Sequence, residues 1–78
     1  MKHKTIEQVK TDLAYNLKTI RLGMGLAQER LALEAEVDRT MVSKIERAVT
    51  NPSLDVLLRL ANRLGVDLAD LLAAKPES

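Results

Sequence analysis

Apolar side chains recur at Ile6, Val9, Leu13, Leu17 and Ile20, in steps of three and four that place them along one face of an α-helix. Thr5 and Gln8 have the spacing of a capping box, in which the hydroxyl accepts an early backbone N–H and the amide reaches back, so a first helix is predicted from near Thr5 to Gly23. Gly23-Met24-Gly25 breaks the period, and Leu26 to Leu33 reads as a short second helix with Leu26, Leu31 and Ala32 inward. The phase resets around Glu36-Val37-Asp38. Asp38 is a good N-cap for a third short helix that turns Val42 and Ile45 inward, with Met41 at the boundary. Pro52 pushes Asn51 out of the α region, and Ser53 then caps a fourth helix carrying Leu54, Leu57, Leu60, Ala61 and Leu64 inward as far as Gly65. Asp67 opens a fifth helix with Leu68, Leu71 and Leu72 on its apolar side, before a polar, frayed end at Lys75-Pro76-Glu77-Ser78.

Composition agrees with this all-helical reading. The 78 residues can close only one small core. Although 46% of them are hydrophobic, Tyr15 is the single aromatic residue, so the core is aliphatic and the β-branched and aromatic residues that favour sheets are sparse. With no cysteine there are neither disulfides nor thiolate metal sites, which fits a reducing compartment. The basic start Met1-Lys2-His3-Lys4 is not followed by an apolar h-region, and no stretch approaches the roughly 20 apolar residues that span a bilayer, so a cytoplasmic protein with no membrane partner is expected.

Chemistry is equally bounded. His3 is the only histidine and lacks the convergent partners that a metal or acid–base site needs. There is no nucleophile with an adjacent base and no phosphate-cradling loop, which argues against an enzyme, and one tyrosine cannot form a stacking platform for RNA bases. No cofactor, metal or small-molecule ligand is expected. The 12 basic and 11 acidic residues nearly cancel, so any affinity for nucleic acid must come from local placement of charge. One such placement is evident: the third helix exposes Arg39, Thr40, Ser43 and Lys44 on the side opposite Val42 and Ile45.

The segments Gly25-Leu26-Ala27-Gln28-Glu29-Arg30-Leu31-Ala32, Val37-Asp38-Arg39-Thr40-Met41-Val42-Ser43-Lys44-Ile45-Glu46-Arg47, Asn51-Pro52-Ser53-Leu54 and Leu64-Gly65-Val66 resemble the lambda-repressor-like helix-turn-helix family, Cro/C1-type or XRE. The combination of Asp38-Arg39-Thr40 with Ile45-Glu46-Arg47 looks most like the small controller proteins of restriction-modification systems. The resemblance implies an all-α, five-helix domain in which helices two and three form the helix-turn-helix, with the third helix in the major groove of double-stranded DNA. It implies an N-terminal extension of the first helix over residues 1–11, a DNA-binding domain with a C-terminal dimerisation helix over 12–73, and a polar tail over 74–78.

Arg39 leads the candidates for base contact, because arginine donates two bonds to guanine O6 and N7. Thr40, Met41, Ser43 and Lys44 complete that set, Met41 through an apolar contact with a thymine methyl. Gln28 resembles the family glutamine that binds a phosphate and braces the recognition helix, and Lys18, Arg47, Thr50 and Asn51 are further phosphate candidates. Arg21 and Glu46 match positions that form an ion pair between the first and third helices.

A small domain cannot bury every leucine of its last two helices, so Val66, Leu68, Ala69 and Leu72 are expected to form a dimer interface, as the fifth helix does in relatives, while Leu71 closes the monomer core. The function implied is a homodimeric, autoregulatory transcriptional regulator on a palindromic operator, a restriction-modification controller being one such role. The alternative is an antitoxin or adaptor that masks another protein; RNA polymerase and a toxin-like protein are the candidate protein partners. Three positions depart from the family: Ala27 where Thr or Ser caps helix two, and Glu36 and Ala48 where glycine is usual. A non-glycine residue in the left-handed region costs on the order of 1 kcal/mol.

Overall fold

The computed structural model describes residues 3–76; the predicted features at Met1, Lys2, Glu77 and Ser78 lie outside them. Five helices follow one another: α1 (Ile6–Gly23), α2 (Gln28–Ala35), α3 (Met41–Glu46), α4 (Leu54–Leu64) and α5 (Leu68–Leu72). This is the all-helical, lambda-repressor-like architecture. Helix α1 packs against α3 and α5, α2 against α3 and α4, and α4 against α5, so the short α3 is held between the two helices that precede it.

Side chains take up free backbone N–H groups at the starts of α1, α4 and α5. Thr5 and Gln8 form the capping box at α1, with Thr5 Oγ1 accepting from the Gln8 N–H at 3.1 Å and Gln8 Oε1 from the Thr5 N–H at 2.8 Å. Ser53 Oγ accepts from Val56 N–H at 3.1 Å to start α4. Asp70 reaches back to the Asp67 N–H at 2.9 Å at the start of α5. Ala27 supplies no side-chain cap to α2.

Helices α1 to α4 share one device at their ends. At Gly25, Glu36, Ala48 and Gly65 the backbone turns left-handed, with φ of 69°, 59°, 57° and 71°. The residue after each donates its N–H five residues back: Leu26 to Arg21 O, Val37 to Ala32 O, Val49 to Lys44 O and Val66 to Ala61 O, all at 3.0–3.1 Å. These are Schellman closures, which satisfy carbonyls that a helix C-terminus leaves free. Glycine adopts this conformation without strain, whereas Glu36 and Ala48 must carry a Cβ there. The Glu36 turn has outside help, because Arg59 Nη1 of α4 donates to its carbonyl at 3.0 Å.

The core is aliphatic. Leu17, Leu31, Ala32, Val42, Leu60 and Leu71 are fully buried and Ile45 nearly so, joined by Leu13, Ala35, Leu57, Ala61 and Leu64. A buried leucine of this kind contributes about 1.5–3 kcal/mol.

Several expectations need correction. Ile6 and Leu54, predicted inward, are 52% and 70% exposed. Both are the first residue of their helix, where the apolar stripe runs beyond the elements that cover the rest of it. Leu26 precedes α2 rather than opening it, although it still packs against the core, and α2 runs on to Ala35 instead of stopping at Leu33. Helix α3 starts at Met41, not directly after Asp38. The Asp38 carboxylate instead closes a turn, with Oδ1 accepting from Thr40 N at 2.8 Å and Thr40 Oγ1 at 2.7 Å. These two bonds, the hydroxyl first, hold the Asp38 carboxyl below its usual pKa.

The C-terminal segment is not free at Lys75. Its backbone N–H donates to Oδ1 of Asp12, a buried residue of α1, at 3.2 Å, and Lys4 Nζ binds the other oxygen at 2.8 Å. One turn further along α1, Asn16 Nδ2 donates to the carbonyls of Leu71 at 3.0 Å and Ala73 at 2.7 Å, satisfying the end of the five-residue α5. The Lys4 and Lys75 contacts, in that order, lower the Asp12 pKa.

Candidate nucleic-acid interface

The site is built around one buried ionic junction. Arg21, in the last turn of α1, donates from Nε to Glu46 Oε2 at 2.6 Å and from Nη2 to Glu46 Oε1 at 2.9 Å, a fork-to-fork pair. The two side chains are 8% and 4% exposed. Arg21 Nη1 also donates to Leu26 O at 2.7 Å in the turn that leads to α2, and the pairing with Glu46 raises the guanidinium pKa despite burial. Gln28, the first residue of α2, donates Nε2 to Glu46 Oε1 at 3.0 Å. The last residue of α3 is therefore fixed to the end of α1 and the start of α2 at once.

What this junction holds in place is the outer side of α3 and the turn before it. Arg39, Thr40 and Lys44 are exposed and Ser43 is half-buried. Met41 differs from its neighbours: its side chain packs against the core, so less of it is free for an apolar contact with a base. Two of the polar side chains are already engaged locally. Thr40 Oγ1 is bonded to Asp38, and Arg47 Nε donates to Ser43 Oγ at 3.3 Å. The Arg39 guanidinium lies 3.5 Å from Glu29 Oε1 on α2, with both side chains at least 77% exposed.

The other candidates lie on other elements. Lys18 is exposed on α1, Arg47 is exposed just past α3, and Asn51 is exposed beside a half-buried Thr50 in the loop before α4. At the opposite end of the chain Val66, Leu68 and Leu72 are half-buried and lean on the core, while Ala69 is exposed. Leu71 between them is wholly buried.

Sequence reasoning missed Glu29, Asp12 and Asn16. Their partners are distant in sequence or separated by a turn, and no local period marks them. Among the described residues no helix is long and apolar enough to cross a membrane.

A helix-turn-helix family model matches residues 17–71, from the middle of α1 to the penultimate residue of α5. The chain belongs to this helix-turn-helix family. It is a transcriptional regulator of XRE type and not an enzyme. A hypothetical transcription factor from Neisseria meningitidis serogroup B is 37% identical over 71 residues, spanning 91% of this chain and 67% of that protein. The control protein C.BamHI of Bacillus amyloliquefaciens is 42% identical over 57 residues, 72% of this chain and 70% of its own length. Among solved structures, the Neisseria factor NHTF superimposes with a TM-score of 0.83 at 34% identity, over 95% of this chain and 85% of the other. The restriction-modification controller protein C.AhdI from Aeromonas hydrophila does so with a TM-score of 0.76 at 34% identity, over 80% and 94%. This helix-turn-helix regulator is thus related to restriction-modification controllers.

Proposed function

We propose that this regulator binds a palindromic operator as a homodimer and controls transcription from its own promoter, in the manner of a restriction-modification controller. The observation that carries the reading is the junction of Arg21, Gln28 and Glu46, which fixes α3 against two helices while its outer side stays polar and open. In a helix-turn-helix domain the second helix of the motif enters the major groove and the first crosses the backbone. On that geometry Arg39, Thr40, Ser43 and Lys44 face base edges, with Met41 at the margin. Gln28, Lys18, Arg47, Thr50 and Asn51 face phosphates and set register. The half-buried Val66, Leu68 and Leu72, with Ala69, supply an apolar surface at the far end for a two-fold contact, which a palindrome requires.

The test is selection of a binding site from a randomised duplex pool, followed by fluorescence anisotropy against a scrambled duplex of equal length at two salt concentrations. The reading expects a preference of about 10³-fold or more and two protomers per site. Leu68→Glu should give monomers and lose that preference. Equal, weak binding to both duplexes would refute the reading in favour of an adaptor or antitoxin, and a Leu68→Glu protein that stays dimeric would remove that residue from the interface.

A further inference from the structure

Four cations lie among the candidate DNA contacts: Lys18, Arg39, Lys44 and Arg47. Among the described residues Arg39 alone of these is within ion-pair distance of a carboxylate, that of Glu29. Arg39 is also the one best placed to read a guanine. We propose that Glu29 is a specificity-determining residue that acts through Arg39, holding the guanidinium away from phosphates and presenting it to a base edge. The inference rests on Arg39 being a base contact, as argued above.

The chemistry follows from the number of donors on each side. Guanidinium has five N–H donors in a fixed plane, and Glu29 approaches from the Nη2 side. Donors remain for guanine N7 and O6, so Arg39 can make its specific contact while Glu29 stays neutralised. Swinging to a phosphate instead exchanges one anionic oxygen for another and leaves Glu29 unpaired beside the strongly negative duplex. Glu29 is the carboxylate free to do this, because the nearby Asp38 is already committed to the N–H and hydroxyl of Thr40. The pair is also well exposed, so releasing it changes affinity only a few-fold.

A cycle of Glu29→Gln, Arg39→Ala and the double variant tests this, using a scrambled duplex and the selected operator as probes in anisotropy titrations over a range of salt. Glu29→Gln should tighten binding to the scrambled duplex about two- to five-fold, the factor expected when an exposed ion pair is released. Its log–log salt slope on that duplex should steepen by about 0.9, one additional phosphate neutralised. Operator binding should change less, so that the preference falls, and all these effects should vanish in the Arg39→Ala background. Equal tightening with or without Arg39 would overturn the proposal, because Glu29 would then be repelling phosphates directly. No change on Glu29→Gln would overturn it as well. Arg39→Ala leaving the operator preference intact would refute the base contact and the proposal together, an outcome distinct from the first two, in which Arg39 still matters.

Discussion

Replacing Glu46 by alanine leaves the Arg21 side chain, 8% exposed in the intact protein, with Leu26 O as its remaining partner among the described residues. Three hydrogen bonds disappear, two from Arg21 and one from Gln28, and a positive charge loses its counter-charge in a place water barely reaches. Breaking a buried pair from one side costs about 3–5 kcal/mol, most of it the desolvation of the charge left behind. A domain of 78 residues has a total stability on the order of 4–12 kcal/mol, so the variant should be near the edge of folding. The assay is urea and thermal unfolding followed by circular dichroism. At this size each kcal/mol moves Tm by about 4–8 °C, so a drop on the order of 12 °C or more is expected. Replacing both Arg21 and Glu46 with leucine should recover much of the loss, because no unpaired charge then remains. A Glu46→Ala cost below about 1 kcal/mol, the value of an exposed pair, would refute the reasoning and with it the claim that this junction fixes α3.

Two further predictions follow from the turn and clamp geometry. Ala48→Gly should stabilise the protein by up to about 1 kcal/mol, since φ is 57° there and the Schellman hydrogen bonds are made by the backbone alone; a lower urea midpoint would contradict this. The Asp12 carboxyl has a pKa lowered by Lys4 first and by the Lys75 N–H second, so its stabilisation is fully present above the unfolded-state value of about 3.9 and is lost as pH falls through the lower folded value. Asp12→Asn should therefore flatten the acid limb of the stability–pH profile below about pH 4, and an unaltered limb would show that the clamp is not coupled to folding.

Much of the fold was legible because helices with one buried face announce their period. Leu13, Leu17, Leu31, Ala32, Val42, Ile45, Leu57, Leu60, Ala61 and Leu64 are all buried at the positions the spacing marks. The same rule misplaced Ile6 and Leu54, because periodicity gives direction around a helix but not how far its neighbours extend along it. The start of α3 shifted since an aspartate can close a turn as readily as open a helix, and its bonds to Thr40 took the first course. The left-handed residues Glu36 and Ala48 came to notice through the family pattern, not through their chemistry, which favours neither. Asp12 and Asn16 could not be found this way at all. Their C-terminal partners lie 63, 55 and 57 residues away, at Lys75, Leu71 and Ala73, and the packing of α5 on α1 brings them together. Around the candidate interface, sequence identified which residue types stand on α3, whereas the engagement of Arg39 with Glu29 and of Gln28 with Glu46 depends on how α2 is placed.

The central claim, that the outer side of α3 reads DNA sequence, is tested most directly by Arg39→Ala in anisotropy titrations on the selected operator and on a scrambled duplex. The account predicts operator binding weakened by about 1–3 kcal/mol, roughly 5- to 150-fold, with binding to the scrambled duplex nearly unchanged. An equal loss on both duplexes would make Arg39 a backbone contact and contradict the claim.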